Sequence, residues 1–170
     1  LAARNPGDSE GKKVGIISGY KDTCYAGERT RGVLDALADT DYEIQFTINV
    51  TYETSITEMF MQQKPVDYLI VLETGILEEI AKILSDKQEN GMKVYGIGSS
   101  IKCVYYLDEA VIDGLIVVDG YDMGYQSVLQ ISDMLKKRLH RTKDQATDYR
   151  LLHREDIFSE DTQKFLYTFY

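Results

Sequence analysis

The sequence predicts an α/β fold built on one doubly wound parallel sheet. Three observations carry the expectation. Short β-branched runs alternate with longer amphipathic stretches, the rhythm of βαβ units. Two of those runs, Val14–Gly19 and Tyr68–Leu72, are almost wholly apolar, as strands buried on both faces are. The 170 residues also suit about one domain with its own core.

The elements follow in order. The first strand is Val14–Gly19, and a helix follows from about Tyr25 to Ala38, with Val33, Leu34 and Leu37 on its inner side. In Glu43–Asn49 the apolar Ile44, Phe46 and Ile48 alternate with polar residues, which suits a half-exposed edge strand. Residues Glu53–Gln63 are expected to be helical through Ile56, Met59 and Phe60. After Pro65, Val66–Glu73 is the most apolar strand and belongs at the sheet centre. Ile76, Leu77, Ile80, Ile83 and Leu84 have helical spacing, closed by Asn90-Gly91. Lys93–Gly98 is a fourth strand, and Val104, Leu107 and Val111 mark a short helix. Gly114–Val118 is a fifth strand, before a long helix from about Met123 to Leu139 with Val128, Leu129, Ile131 and Leu135 inward. Arg141–Asp148 lacks periodicity and reads as a loop, and Tyr149–His153 as a last short strand. The chain therefore divides into 1–12, a helix end and linker, 13–140, the α/β lobe, and 141–170, loop, short strand and tail.

Right-handed crossovers turn this pattern into a flavodoxin-like sheet of order 2-1-3-4-5. Ligands of such sheets sit at the carboxyl ends of the strands, where the order reverses. Here that point falls between the first and third strands, at Tyr20–Gly27 and Glu73–Gly75.

Composition narrows the function. A formal charge of -9 and a pI near 4.7 disfavour nucleic acid and anionic membranes as partners. No run of 18 apolar residues is long enough to span a bilayer. His140 and His153 have no neighbour at metal-ligand spacing, so no metal is expected. Gly98-Ser99-Ser100 is no nucleophile elbow, and neither a G-x-G-x-x-G nor a P-loop is present. No catalytic residue and no cofactor is predicted. Cys24 and Cys103 both fall on loops at one rim, where unpaired thiols are the simpler reading.

Most carboxylates lie on helix outsides, but Asp22, Glu73 and Asp119 stand at strand ends, where they could face a ligand or cap the next helix. Thr23 competes with Asp22 for the capping role. Of 13 tyrosines, Tyr20, Tyr25, Tyr105, Tyr106 and Tyr121 map to the same rim. Their rings could stack on a ligand or bury against a second lobe. Ser99 adds a hydroxyl at the exit of the fourth strand.

Several passages in order resemble the type I periplasmic binding proteins, the superfamily of sugar-binding proteins of ABC transporters and LacI-type repressors. They are Lys13–Gly19 followed by Glu28-Arg29-Thr30-Arg31-Gly32-Val33, then Gly96-Ile97-Gly98, then Val111–Val118 with Tyr121-Asp122-Met123-Gly124, and finally Leu151–Ile157. The resemblance is to the carboxy-terminal lobe, nearest to the transporter-linked sugar binders. It implies a non-enzymatic, extracytoplasmic binding protein for a small polar solute such as a sugar, with a membrane permease or sensor kinase as partner. The effector domain of a cytoplasmic LacI-type regulator is the alternative, and a flavodoxin-like enzyme the remote one. It further implies an absent amino-terminal lobe, consistent with Leu1–Asn5 reading as the last turn of a cut helix. Without that lobe, the 123–139 helix would lose its docking surface and favour self-association. Family ligand positions fall at Gly27, Thr74, Gly98 and Val118 or Asp119, where this chain lacks most of the usual polar fork. With the rim residues, the candidate ligand site is Tyr20, Asp22, Thr23, Tyr25, Gly27, Glu73, Thr74, Gly98, Ser99 and Asp119.

Overall fold

Unbroken apolar runs become inner strands of the sheet. In the computed structural model, which describes residues 11–20, 23–87, 91–137 and 144–167, these include β1 (Lys13–Tyr20), β3 (Tyr68–Val71) and β5 (Gly114–Val118). The alternating Glu43–Val50 is β2, Lys93–Ile97 is β4 and Tyr149–Leu152 is β6. The sheet order is β2-β1-β3-β4-β5-β6. Every pairing is parallel except the last, where β6 runs antiparallel to β5. The predicted 2-1-3-4-5 order is present, with β2 at one edge and β3 inside.

Two aspartates fasten the amino end of the sheet. Asp67 precedes β3 in Val66-Asp67-Tyr68-Leu69-Ile70-Val71, and Asp113 precedes β5 in Ile112-Asp113-Gly114-Leu115-Ile116-Val117. Asp67 accepts the Lys13 N–H on its carboxylate at 2.8 Å and donates its own N–H to Lys13 O at 2.9 Å. Asp113 does the same with Val94, at 2.8 Å both ways. His153 Nδ1 hydrogen-bonds Asp113 O at 2.9 Å, which ties the end of β6 to the same corner.

The helices are α1 (Cys24–Leu37), α2 (Ile56–Met61), α3 (Thr74–Lys87), α4 (Ile101–Asp108), α5 (Gly120–Lys137) and α6 (Glu160–Leu166), with a 3₁₀ turn at Arg154–Asp156. α3 buries Ile76, Leu77, Ile80, Ala81 and Leu84, and α4 buries Cys103, Val104 and Leu107. Both pack on Leu69, Val71, Val94, Leu115 and Val117 of the sheet. α4 starts earlier than the apolar spacing suggested because the Ser100 side chain accepts the Cys103 N–H at 3.2 Å and so caps it. It stops at Asp108 because Ala110 takes a left-handed φ of 57°. α2 is shorter than expected, since Ser55 is still extended. Asn90, Leu139, His140 and the start of the 141–148 loop lie outside the described residues, and 144–148 has no regular structure.

The opposite side of the sheet is covered differently. There α1 buries Leu37 against Val14, Ile16, Tyr68 and Leu72, but Leu34, expected inward, is 38% exposed. Beyond α1 an open apolar groove of about 310 Å³ runs over Ile70, Tyr95, Ile97, Ile116 and Leu151. α5 buries none of its residues. Val128, Leu129, Ile131 and Leu135, also expected inward, are exposed, Leu135 by 77%. The helix leans on local support instead. The Asp119 carboxylate accepts the Asp122 N–H at 2.8 Å, and Lys137 pairs with Asp133 at 2.7 Å.

Two outcomes follow from this packing. A Cβ at Gly96 would lie 2.6 Å from a methyl of the fully buried Leu77 and 3.0 Å from Val71 O. Gly96→Ala should therefore cost about 1–3 kcal/mol in denaturant unfolding. By contrast Gly124→Ala, in open space on α5, should be neutral or gain up to about 1 kcal/mol. Second, the Ser100 hydroxyl, then the Lys102 ammonium 3.2 Å away, hold the Glu78 carboxyl below its ordinary 4.5. The stabilisation from this link is present above the ordinary value and fades as pH falls through the lowered one. Glu78→Gln should flatten that part of the acid unfolding profile, measured by circular dichroism from pH 6 downward.

Candidate functional site

The strand reversal between β1 and β3 opens a gap at their carboxyl ends, and α1 leans across it. The turn into α1 is fixed from inside. Ser18, fully buried, donates its hydroxyl to Ala26 O at 3.2 Å, and Thr30 Oγ1 donates to the same carbonyl at 2.8 Å. With the first turn of α1 held this way, Tyr25 and Arg29, four residues apart, share one helix face.

Arg29 is the centre of the site. Its Nη1 donates to Leu72 O at 2.7 Å and lies 3.3 Å from Glu73 Oε2. The guanidinium sits over the Tyr25 ring, 4.9 Å from its centroid. The Arg29 and Glu73 side chains are 33% and 28% exposed, so the pair is only partly withdrawn from water. Gly19 lies against these groups: a Cβ there would make ordinary contact, 3.6 Å, with Glu73 Oε2 and the Tyr25 ring.

Beside this pair lies an aromatic platform. Tyr20, the last residue of β1, stacks on Tyr52, with ring centroids 4.0 Å apart and planes 8° from parallel. Tyr52 is 80% exposed. Tyr20 is half-buried against the core, so the pair offers the Tyr52 ring to solvent just past the end of β2.

The other predicted positions divide. Thr23 occupies the N-cap position of α1, but its side chain makes no cap; its hydroxyl donates back to Tyr20 O at 2.7 Å and tightens the loop. Asp22 lies outside the described residues. Gly27 is exposed with open space around it. Thr74 opens α3, with its hydroxyl 3.4 Å from Ile97 O. Gly98 is buried and crowded: a Cβ would meet Cys103 Sγ at 3.0 Å and Thr74 at 3.3 Å. Ser99 is exposed at the exit of β4, and the Asp119 carboxylate caps α5. Of the further rim tyrosines, Tyr106 packs against the core, Tyr105 is exposed on α4, and Tyr121 stacks on Tyr125 along α5 at 6.1 Å. The Cys103 thiol is free and buried, and burial pushes it above its ordinary range.

Sequence reasoning missed Arg29 and Tyr52 as site residues. Arg29 stood inside a quoted motif, and its placement four residues after Tyr25 was the available signal. Tyr52 follows the edge strand, a position that periodicity does not relate to Tyr20. Chemically, the gap presents a pre-paired cation, stacked rings and strand-end hydroxyls. Among the described residues no three His, Cys, Asp or Glu side chains gather as a metal site would need.

Comparison with known proteins agrees with this fold. A sequence profile of the family described as "periplasmic binding protein domain" matches residues 1–139. No curated protein sequence matches the chain. Among solved structures, a carbohydrate transporter solute-binding protein from Agrobacterium radiobacter, in complex with D-arabinose, is similar with a TM-score of 0.79. It is 16% identical, and the match covers 92% of this chain and 55% of that one. GanP, a glucose-galactose binding protein from Geobacillus stearothermophilus, follows with a TM-score of 0.76 at 17% identity, over 88% and 55% of the two chains. A putative LacI transcriptional regulator from Bacteroides fragilis has a TM-score of 0.71 at 16% identity, over 86% and 54%. The chain thus spans about half the length of these structures. On the profile match and the sheet order together, this chain belongs to the periplasmic binding protein domain family.

Proposed function

We propose that the chain is one ligand-holding lobe of an extracytoplasmic solute-binding protein for a sugar-like ligand, serving an ABC importer or a membrane sensor. The observation that carries this reading is the convergence of Tyr20, Tyr52, Tyr25, Arg29 and Glu73 at the strand reversal of a periplasmic-binding-protein sheet. Flat apolar rings beside hydrogen-bonding groups suit a polyhydroxylated ring, which has apolar C–H faces and polar edges. The lobe holds and orients; no residue is assigned to bond making or breaking. Closure on a second lobe would present the liganded shape to the membrane partner. An effector domain of a LacI-type regulator is the second reading, favoured by the resemblance to the Bacteroides fragilis protein. Both readings keep the same ligand gap.

In this reading the chain's division stands as 13–140 for the lobe, flanked by 1–12 and 141–170, and the exposed face of α5 is the surface that meets the other lobe. An apolar face of this extent marks an interface. Alone, the 170-residue chain should therefore self-associate through Val128, Ile131 and Leu135. Light scattering at micromolar concentration should find a dimer or larger, and Val128→Lys with Leu135→Lys should return it to monomer. A monomeric starting chain would remove this interface assignment.

The ligand is tested on the intact native protein with D-arabinose, D-ribose, D-glucose, D-galactose and D-tagatose. A true ligand at a hundredfold excess over Kd should stabilise by about 2.7 kcal/mol in thermal unfolding. Tyr52→Ala should weaken binding about tenfold or more, the loss of one stacked ring. A flat response to every saccharide would overturn the sugar assignment.

A further inference from the structure

We propose that Glu73 is a built-in counter-ion that makes this site select uncharged sugars over sugar acids. The inference rests on the sugar-binding reading above and adds to it the charge class of the ligand.

Arg29 is held in place without Glu73. Its Nη1 already donates to Leu72 O at 2.7 Å, and its flat face rests on Tyr25 at 4.9 Å. A backbone carbonyl and an aromatic ring fix the guanidinium on two sides, so positioning does not require a second acid. What Glu73 adds, with Oε2 at 3.3 Å, is charge. An unopposed arginine at the mouth of a gap is a receptor for carboxylates, because its planar fork matches two oxygens. Here one lobe of that fork already faces an anion.

Each class of ligand then meets a different balance. A carboxylate approaching Arg29 finds its attraction offset and a like charge within a few ångströms. A cation meets the guanidinium in turn. A neutral polyol pays neither penalty: the guanidinium can donate to its hydroxyls and the Glu73 carboxylate can accept from them, while the Tyr20–Tyr52 pair offers a stacking face. Nothing else at the gap restores the missing positive charge among the described residues. Asp119 is acidic and engaged in its cap, Gly27 carries no side chain, and Lys102 of α4 is paired to Glu78 of α3.

The test compares each neutral sugar of the panel with its own uronate, for example D-galactose with D-galacturonate and D-glucose with D-glucuronate, by titration calorimetry on the intact protein. Wild type should bind the neutral sugar about tenfold or more tighter than the acid, the scale expected for one partly exposed like charge. Glu73→Gln keeps the size of the side chain and an acceptor oxygen. Whatever it does to neutral-sugar binding, it should shift the uronate-to-neutral-sugar affinity ratio about tenfold toward the uronate, with the shift shrinking as salt rises. Wild-type protein that binds uronate as well as its neutral sugar would overturn the proposal while leaving the sugar site intact, and that measurement needs no variant. An unchanged ratio in a folded Glu73→Gln protein would overturn it too. Binding of neither class would instead remove the sugar reading on which it stands.

Discussion

The parallel pairing of β1 with β3 is the constraint on which the rest depends. Val14 to Ile17 lie in register with Tyr68 to Val71, although α1, β2 and α2 intervene in sequence. Skipping β2 to the outer edge reverses the winding and leaves the space between the ends of β1 and β3 unfilled by helix. Tyr20, Tyr25, Arg29 and Glu73 reach that space from these two strands or from the segments leaving them, and Tyr52 comes from the segment after β2. Leu72 O is free to accept from Arg29 because β3 ends one residue earlier. The hole and the polar groups that line it have one cause.

The amino end of the sheet is pinned by side chains. The recurring Asp-x-Leu-Ile-Val pattern supplies a carboxylate one residue before β3 and again before β5. Each aspartate exchanges two hydrogen bonds with the neighbouring strand start, which sets register where no turn can do so. Parallel strands lack a hairpin to define their alignment, and side-chain pinning takes its place. A firm lower edge lets the upper loops carry recognition, the usual division of labour in open α/β sheets.

Most of the sheet was legible in the sequence. The period-two alternation of β2 identified an edge strand, and the unbroken runs of β1 and β3 identified inner ones. Helix faces were legible only in part. α3 and α5 show the same amphipathic spacing, yet α3 buries five residues and α5 none. Periodicity marks which face is apolar; it carries no information about what that face meets. Of the candidate residues, Tyr20 and Glu73 could be placed at the rim from sequence because strand ends can be located by pattern. Arg29 could not, since its role comes from a helix leaning over a carbonyl 43 residues away. Tyr52 was hidden for a similar reason: its partner Tyr20 lies across β2, joined by a ring stack that no sequence spacing encodes. Thr23 shows the reverse error, a good capping residue whose hydroxyl serves the loop behind it.

The glycine at position 98 joins these strands of argument. A polar side chain at that strand end is what the family resemblance led one to expect, and the sequence reads its loss as a weakened grip on ligand. The structure adds a packing reason. The space beside Gly98 is filled by Cys103 and Thr74, and Cys103 sits there because Ser100 caps α4 so early. A Cβ at 98 would press on Cys103 Sγ and Thr74, which would have to give by a few tenths of an ångström. Polarity at the gap lies instead on the β3 side, where Glu73 and Arg29 are paired with one another. A site that pairs its own charges internally recognises through shape, stacking and hydroxyl geometry, which is the physical basis for assigning it an uncharged ligand.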